Sequence, residues 1–149
     1  MVKPLDYKDV TMDNVSEEWR PVIGIQHYEV SNTGKIRSLD RIKQFKCRWG
    51  HSVTRNHKGT VLHGHINSDG YKAVKLGRTH GEHLVHRLVA AAFIGDCPAG
   101  WTVNHKNGDK LDNRPHNLEY LTFSDNTKHA HATGLHDYTK PRRRRNALA

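Results

Sequence analysis

Residues 101–126, WTVNHKNGDKLDNRPHNLEYLTFSDN, concentrate the side chains of this chain that could carry out a hydrolysis. His105 directly follows Asn104, and two further amides, Asn117 and Asn126, stand downstream in the same stretch. A neutral imidazole, with an ordinary pKa of about 6.5, can take a proton from water at neutral pH. Amide or carboxylate oxygens suit a hard cation such as Mg²⁺, which keeps several waters and takes few protein ligands. Cleavage of a phosphodiester needs these two things: a base to activate water, and a cation to hold the phosphate and the leaving oxygen. His105, Asn104 and Asn126 provide that inventory.

Such groups must be brought together by the elements around them. Thr102 to His105 reads as a short strand, and Lys106 to His116, dense in Asn, Asp, Gly and Pro, reads as a loop. Leu118 to Thr122 alternates as a second strand, and Ser124 is a good N-cap for a helix running to about Ala132. Strand, loop, strand, helix can bring a strand histidine and a residue of the first helical turn to one point. Upstream, Leu84, Leu88 and Ala92 recur at helical spacing with Val85, Val89 and Phe93 beside them. This predicts a core helix over 84–94, stopped by Gly95 and Pro98, with His86 and Arg87 off its apolar stripe. Tyr28–Val30 and Lys35–Leu39 flank the turn sequence Ser31–Gly34 and predict a β-hairpin. A second hairpin is expected from Val61–Ile66 and Tyr71–Leu76 around Asn67–Gly70; Lys72 and Lys75 on it would face a nucleic-acid backbone.

Charge says what the partner should be. The formal net charge is +9, yet it is concentrated: residues 35–78 hold 11 basic and 2 acidic side chains. Residues 42–60 carry Lys43, Lys46, Arg48, Arg55 and Lys58 among few apolar residues, predicting a basic loop or ribbon that orders on a polyanion. Arg37, Arg41 and Arg114 join these as candidate DNA contacts. The tail Lys140-Pro141-Arg142-Arg143-Arg144-Arg145 is of low complexity and available for phosphates. At 149 residues the chain can bury one modest core or two small modules. No apolar run reaches the roughly 20 residues of a membrane span, and no secretory signal opens the chain. Cys47 and Cys97 stand far apart, outside any CxxC pair, and read as reduced thiols of a cytoplasmic protein. A zinc site finds no support, and a calcium loop starting at Asn107 fails because Leu118 stands where glutamate is needed. The few aromatic residues build no stacking platform for single-stranded RNA.

In this order the pieces resemble the HNH nucleases, in the form found in phage and group I intron homing endonucleases. The resemblance is carried by Leu84-Val85-His86-Arg87-Leu88-Val89-Ala90, Val103-Asn104-His105, Asn107-Gly108, Asn113-Arg114, Asn117-Leu118-Glu119 and Asn126-Thr127-Lys128-His129-Ala130. Residues 17–22 with 28–39 resemble the small nuclease-associated module that often precedes it. The resemblance implies an α+β protein: a flexible lead-in over 1–16, an N-terminal β-hairpin module for DNA binding over 17–41, a basic loop and β-hairpin over 42–80, a ββα-metal (His-Me finger) nuclease unit over 81–133, and a disordered basic tail over 134–149. It implies His105 as general base, Asn117 as the loop brace that holds it, and Asn104 and Asn126 as ligands of one Mg²⁺ or Mn²⁺, with His129 able to replace or supplement Asn126. It implies a monomer acting on double-stranded DNA in the cytoplasm of a bacterial host, encoded by phage, as a site-specific homing endonuclease. Asn104 departs from the family, which often has Asp there. A neutral oxygen binds a cation more weakly, by roughly tenfold, which leaves open a weak or inactive DNA-binding descendant.

Overall fold

The computed structural model describes residues 16–134. The lead-in up to residue 15 and the basic tail from 135 onward lie outside the described residues. Strand β1 (Trp19–Pro21), β2 (Tyr28–Ser31) and β3 (Ile36–Ser38) form the N-terminal sheet, and β6 (Val61–Leu62) completes it in the order β1-β2-β3-β6. The expected first hairpin is present, with Tyr28 opposite Ser38 and Val30 opposite Ile36. Its turn needs a left-handed residue, and Gly34 supplies it at φ +77°.

The basic segment is a ribbon and not a loop. β4 (Arg41–Lys46) pairs with β5 (Ser52–His57) over its whole length, as a separate two-stranded sheet. The second expected hairpin is divided. β6 leaves to join β3, while β7 (His65–Ile66) pairs with β8 (Lys72–Lys75) and β8 with β9 (Glu82–Leu84). The break falls at Gly64, where any side chain would sit 2.5 Å from the Ala73 carbonyl oxygen. Below the turn, Asn67 Oδ1 accepts from the Asp69 and Tyr71 amides.

Helix α1 (Val85–Phe93) has Leu84 and Ile94 as its caps, as the periodicity predicts. Antiparallel β10 (Trp101–His105) and β11 (Leu118–Thr122) follow, joined by a loop that ends in a 3₁₀ turn at Pro115–Asn117. Helix α2 (Phe123–Ala132) packs against both strands. Its cap is Thr122 and not Ser124: the Thr122 hydroxyl accepts from the Asp125 amide at 3.1 Å. The hydroxyl that meets a free amide of the first turn is the one already outside the helix, and β11 delivers Thr122 there.

One core runs through these parts. Val22, Tyr28, Val30 and Ile36 of the N-terminal sheet meet Val74 and Leu76, Val85, Val89 and Ala90 of α1, and Leu118 of β11. Ala73 and Val74 are both buried, so β8 is covered on both faces. Cys47 and Cys97 are free thiols, as the sequence suggests. No helix among the described residues is long and apolar enough to cross a membrane.

Candidate active site

Strand alternation decides where Asn104 and His105 point. In the β10–β11 pair, His105 lies opposite Leu118 and Asn104 opposite Glu119, so the two side chains leave opposite faces of the hairpin. Leu118 belongs to the core, with Val103 and Tyr120 packed against it on the same face. His105, at the strand's end, follows them inward and is only 5% exposed.

Three groups surround its ring. Nε2 lies 3.3 Å from Asn113 Oδ1. The His86 ring stands edge-on with centroids 5.1 Å apart, and Tyr71 lies at 6.0 Å. Tyr71 and His86 touch each other at 4.8 Å. His86 is therefore buried, 4% exposed, against the expectation of a residue off the helix's apolar stripe. The neighbouring face of α1 is covered by Tyr71 and by His105 itself, contacts that helical periodicity does not contain. Burial lowers the His105 pKa below the ordinary histidine value, partly opposed by the Asn113 contact and by Asp109 and Asp112. Burial drives His86 further, to about 3, with His105 and Arg87 adding to the shift. Both rings are neutral at pH 7.

The loop after His105 is held by Asn117. Its Oδ1 accepts from the Asn107 amide at 3.0 Å and its Nδ2 donates to the Asp112 carbonyl at 2.8 Å. Its own carbonyl accepts from the Lys106 amide at 2.8 Å. Both ends of one buried side chain thus tie the two limbs of the loop. Asn107 and Asp109 add side-chain turns, each accepting from a backbone amide two residues on. Asp112 takes both Nε and Nη2 of Arg114 at 2.7 Å, which lowers its pKa.

Asn104, 8% exposed, donates from Nδ2 to Glu119 Oε1 at 2.9 Å. The nitrogen end of the amide is thus taken by Glu119, and Oδ1 is left as the acceptor of this side chain. Asn126 sits in the first turn of α2, half-buried, and no hydrogen bond among the described residues links it to His105 or Asn104. His129 lies one turn further on, also half-buried. The donors suit a hard divalent cation in kind: the bond to Glu119 uses Asn104 Nδ2 and not Oδ1, and amide oxygens match Mg²⁺ or Mn²⁺. Among the described residues no three His, Cys, Asp or Glu side chains cluster for a metal.

The candidate DNA contacts divide by what they already touch. Arg37 is ion-paired to Glu29 at 2.6 Å and stacked on Trp19, and Lys72 donates to the Gly34 carbonyl at 3.3 Å. Arg114 holds Asp112. Lys43, Lys46, Arg48 and Arg55 are exposed on the ribbon. Arg41, Lys43, His57, Lys75, Arg78 and His80 line a cleft beside it, whose lining includes no acidic residue. Sequence reading did not place Asn113, Glu119, His86 or Tyr71 beside His105 and Asn104, although the first three stand in the motif pieces; their contacts there cross strands or loops.

With this geometry in view, comparison with known proteins becomes specific. A model of the HNH endonuclease family matches residues 83–128, from β9 into α2. Residues 83–128 are an HNH endonuclease domain. The NUMOD4 motif matches residues 17–77, which take in the N-terminal sheet, the ribbon and β8. DNA endonuclease I-HmuI of Bacillus phage SP01 is 31% identical over 126 residues, which are 83% of this chain and 63% of the relative. An uncharacterized HNH endonuclease of Acanthamoeba polyphaga mimivirus is 33% identical over 123 residues, 79% of this chain and 31% of that protein. The chain thus spans about a third of the mimivirus relative and under two thirds of I-HmuI. A solved structure of the HNH homing endonuclease I-HmuI, described as showing DNA binding and cleavage, superposes with a TM-score of 0.60 at 30% identity, over 82% of this chain and 62% of that one. His105, Asn104, Asn117 and Asn126 all fall inside the segment matched by the HNH family, and the ribbon falls inside the NUMOD4 segment.

Proposed function

We propose that this chain is a divalent-metal-dependent DNA endonuclease of the homing type, with His105 as its general base. The observation that carries the reading is a buried imidazole at the end of an HNH-domain strand, with Asn113, His86 and Tyr71 around its ring. His105 takes a proton from water as the water oxygen bonds to phosphorus, and the bond from phosphorus to the 3′ oxygen breaks. Asn117 keeps the loop closed around the base. Asn104 and Asn126 are the residues that would hold Mg²⁺ or Mn²⁺, and such a cation, which HNH nucleases generally need, would supply positive charge to the phosphate and the departing oxygen. The acid-free cleft and the exposed cations of the ribbon bind the duplex backbone. We place the enzyme, as a monomer, on double-stranded DNA in the cytoplasm of a bacterial or phage-infected cell.

Supercoiled plasmid incubated with Mg²⁺ or Mn²⁺ tests the reading. Relaxed or linear product is expected from the native chain, and at least about a hundredfold less from His105→Ala. Equal cleavage by the two proteins removes His105 from the mechanism. One observation favours a second reading, a DNA-binding protein with little catalysis: the amide at position 104 where the family often has a carboxylate. Because Glu119 faces that position, Asn104→Asp alone would set two carboxylates against each other, so it is made together with Glu119→Gln. A gain in metal-dependent cleavage marks a weakened enzyme, whereas no cleavage by either protein marks a binder.

A further inference from the structure

We infer that Trp49, at the tip of the β4–β5 ribbon, is a wedge that inserts between base pairs of the bound duplex, opens one flexible step and bends the DNA there. The inference rests on double-stranded DNA being the partner, and it adds a contact that the basic side chains cannot make.

The tip is a tight turn with little freedom. Pairing of the two strands holds as far as Lys46 opposite Ser52. Beyond that pair the Cys47 amide donates to the His51 carbonyl at 2.9 Å, and the Gly50 amide to the Cys47 carbonyl at 3.0 Å. Arg48 and Trp49 are therefore the two central residues of a β-turn, closed by Gly50 at φ +82°. Trp49 is 81% exposed, the most of any large apolar side chain among the described residues. Other aromatic rings of the same segment are covered by a cation across the strands: Trp19 lies under Arg37 at 4.2 Å and Phe45 under Arg55 at 5.7 Å. A bare indole forgoes one of the largest burial gains any side chain offers, and a held turn presents it at little further cost in entropy.

Whatever covers the indole must also suit its surroundings. From Arg41 to Lys58 the sequence has no Asp or Glu, and Lys46, Arg48 and His51 flank Trp49. That setting calls for a polyanion that also offers flat apolar surfaces. A DNA duplex is such a partner, with phosphates outside and base faces wherever a step opens. Six paired positions make the ribbon about 20 Å long. Arg41, Lys43 and His57 at its root can therefore hold the backbone while the tip enters a groove. Apolar side chains wedged between base steps kink DNA, and TA and CA/TG steps open most readily. Part of the target preference then comes from where the double helix gives way. An anionic lipid surface fits less well, because the turn from Cys47 to Gly50 holds no second large apolar anchor.

The test uses the full chain with metal omitted, so that DNA is bound and not cut. The chain is labelled with 5-fluorotryptophan, and the Trp49 ¹⁹F signal is identified among those of its three tryptophans by its loss in Trp49→Phe. The probe is a mixed-sequence duplex holding several TA steps, with 2-aminopurine in place of adenine at each. On saturation the Trp49 signal should move upfield and lose its sensitivity to D₂O, while the 2-aminopurine brightens. Trp49→Ala should bind about 5- to 100-fold more weakly and leave the 2-aminopurine dark, with Trp49→Phe in between. The slope of binding against salt should stay unchanged in Trp49→Ala, since an indole releases no counterion; a flattened slope would mean that Trp49 only supports the neighbouring cations, and would overturn the inference. A Trp49 signal still sensitive to D₂O on saturated duplex overturns it, as does a Trp49→Ala chain that binds and opens the step as the native one does. So does a shifted signal without brightening, which marks an indole lying on the sugar faces, or a signal moved by phosphatidylserine vesicles and not by duplex. Failure of the DNA reading itself shows separately, as a native chain that binds no duplex at all.

Discussion

At the scale of residues, the two buried imidazoles give the chain a definite response to acid. The pKa of His105 lies below its ordinary value, so the ring stays in its basic form as pH falls through the usual histidine range. The acid limb of kcat, measured with DNA and metal saturating, should therefore have its midpoint below about 6.5; a midpoint at or above that value would remove His105 from the role. His86 makes the matching statement about stability. Its pKa is about 3 when folded and near 6.5 when unfolded. Between those values the unfolded chain binds more protons, so stability rises with pH and is lost as pH falls from 6.5 toward 3. The slope should approach about 1.4 kcal/mol per pH unit in that window. Urea unfolding at pH 7 and pH 5 measures it, and His86→Phe, which keeps a ring and discards the titration, should shrink the difference. The residues expected for this site from sequence were those whose neighbours along the chain announce them: His105 at a strand end, Asn117 before a strand, Asn126 in a helix's first turn. Asn113 and Glu119 stand in the motif pieces, but their contacts with His105 and Asn104 were not legible, because each crosses a loop or a strand pair.

At the scale of elements, the β4–β5 ribbon is built for something it does not yet touch. Lys43 and Arg55 face each other across the two strands, with Arg41 and His57 as the next pair on the same side. Like charges directly opposite are unfavourable by a few tenths to about 1 kcal/mol, and a two-stranded sheet without a third strand has little to set against that. A bound phosphate backbone would relieve the repulsion. Arg55→Glu should accordingly increase amide-exchange protection over 41–57 in the free protein while weakening DNA binding. A variant that binds DNA as well as the native chain would show that this face is not used. Sequence reading could not choose between loop and ribbon here, since charged residues on both faces hide the period of two. The strands β1 and β9, three residues each, are too short for any pattern, and β6 exchanged partners because Gly64 lets the backbone of β8 approach. Helix α1 was legible to within a residue because its pattern is long and apolar.

At the scale of the molecule, a chain of net charge +9 with a concentrated basic segment should bind DNA in a strongly salt-dependent way. The logarithm of the binding constant should fall linearly with that of salt, and Lys43→Ala or Lys46→Ala should each flatten the slope by about 1. Slopes unchanged by these substitutions would place the backbone contacts elsewhere. The charge asymmetry was legible in the sequence; the extent to which the two matched segments share one interior was not. Gly34 marks where that sharing is tightest. The turn it makes belongs to the NUMOD4 segment, yet it lies against Asn113 of the HNH domain and takes a lysine from β8 on its carbonyl. A chimera grafting another recognition module onto this domain would therefore inherit a mismatched seam beside the base. Such grafts should succeed only when the donor brings a glycine to the same bend, which makes this one residue a compatibility key for recombination between relatives.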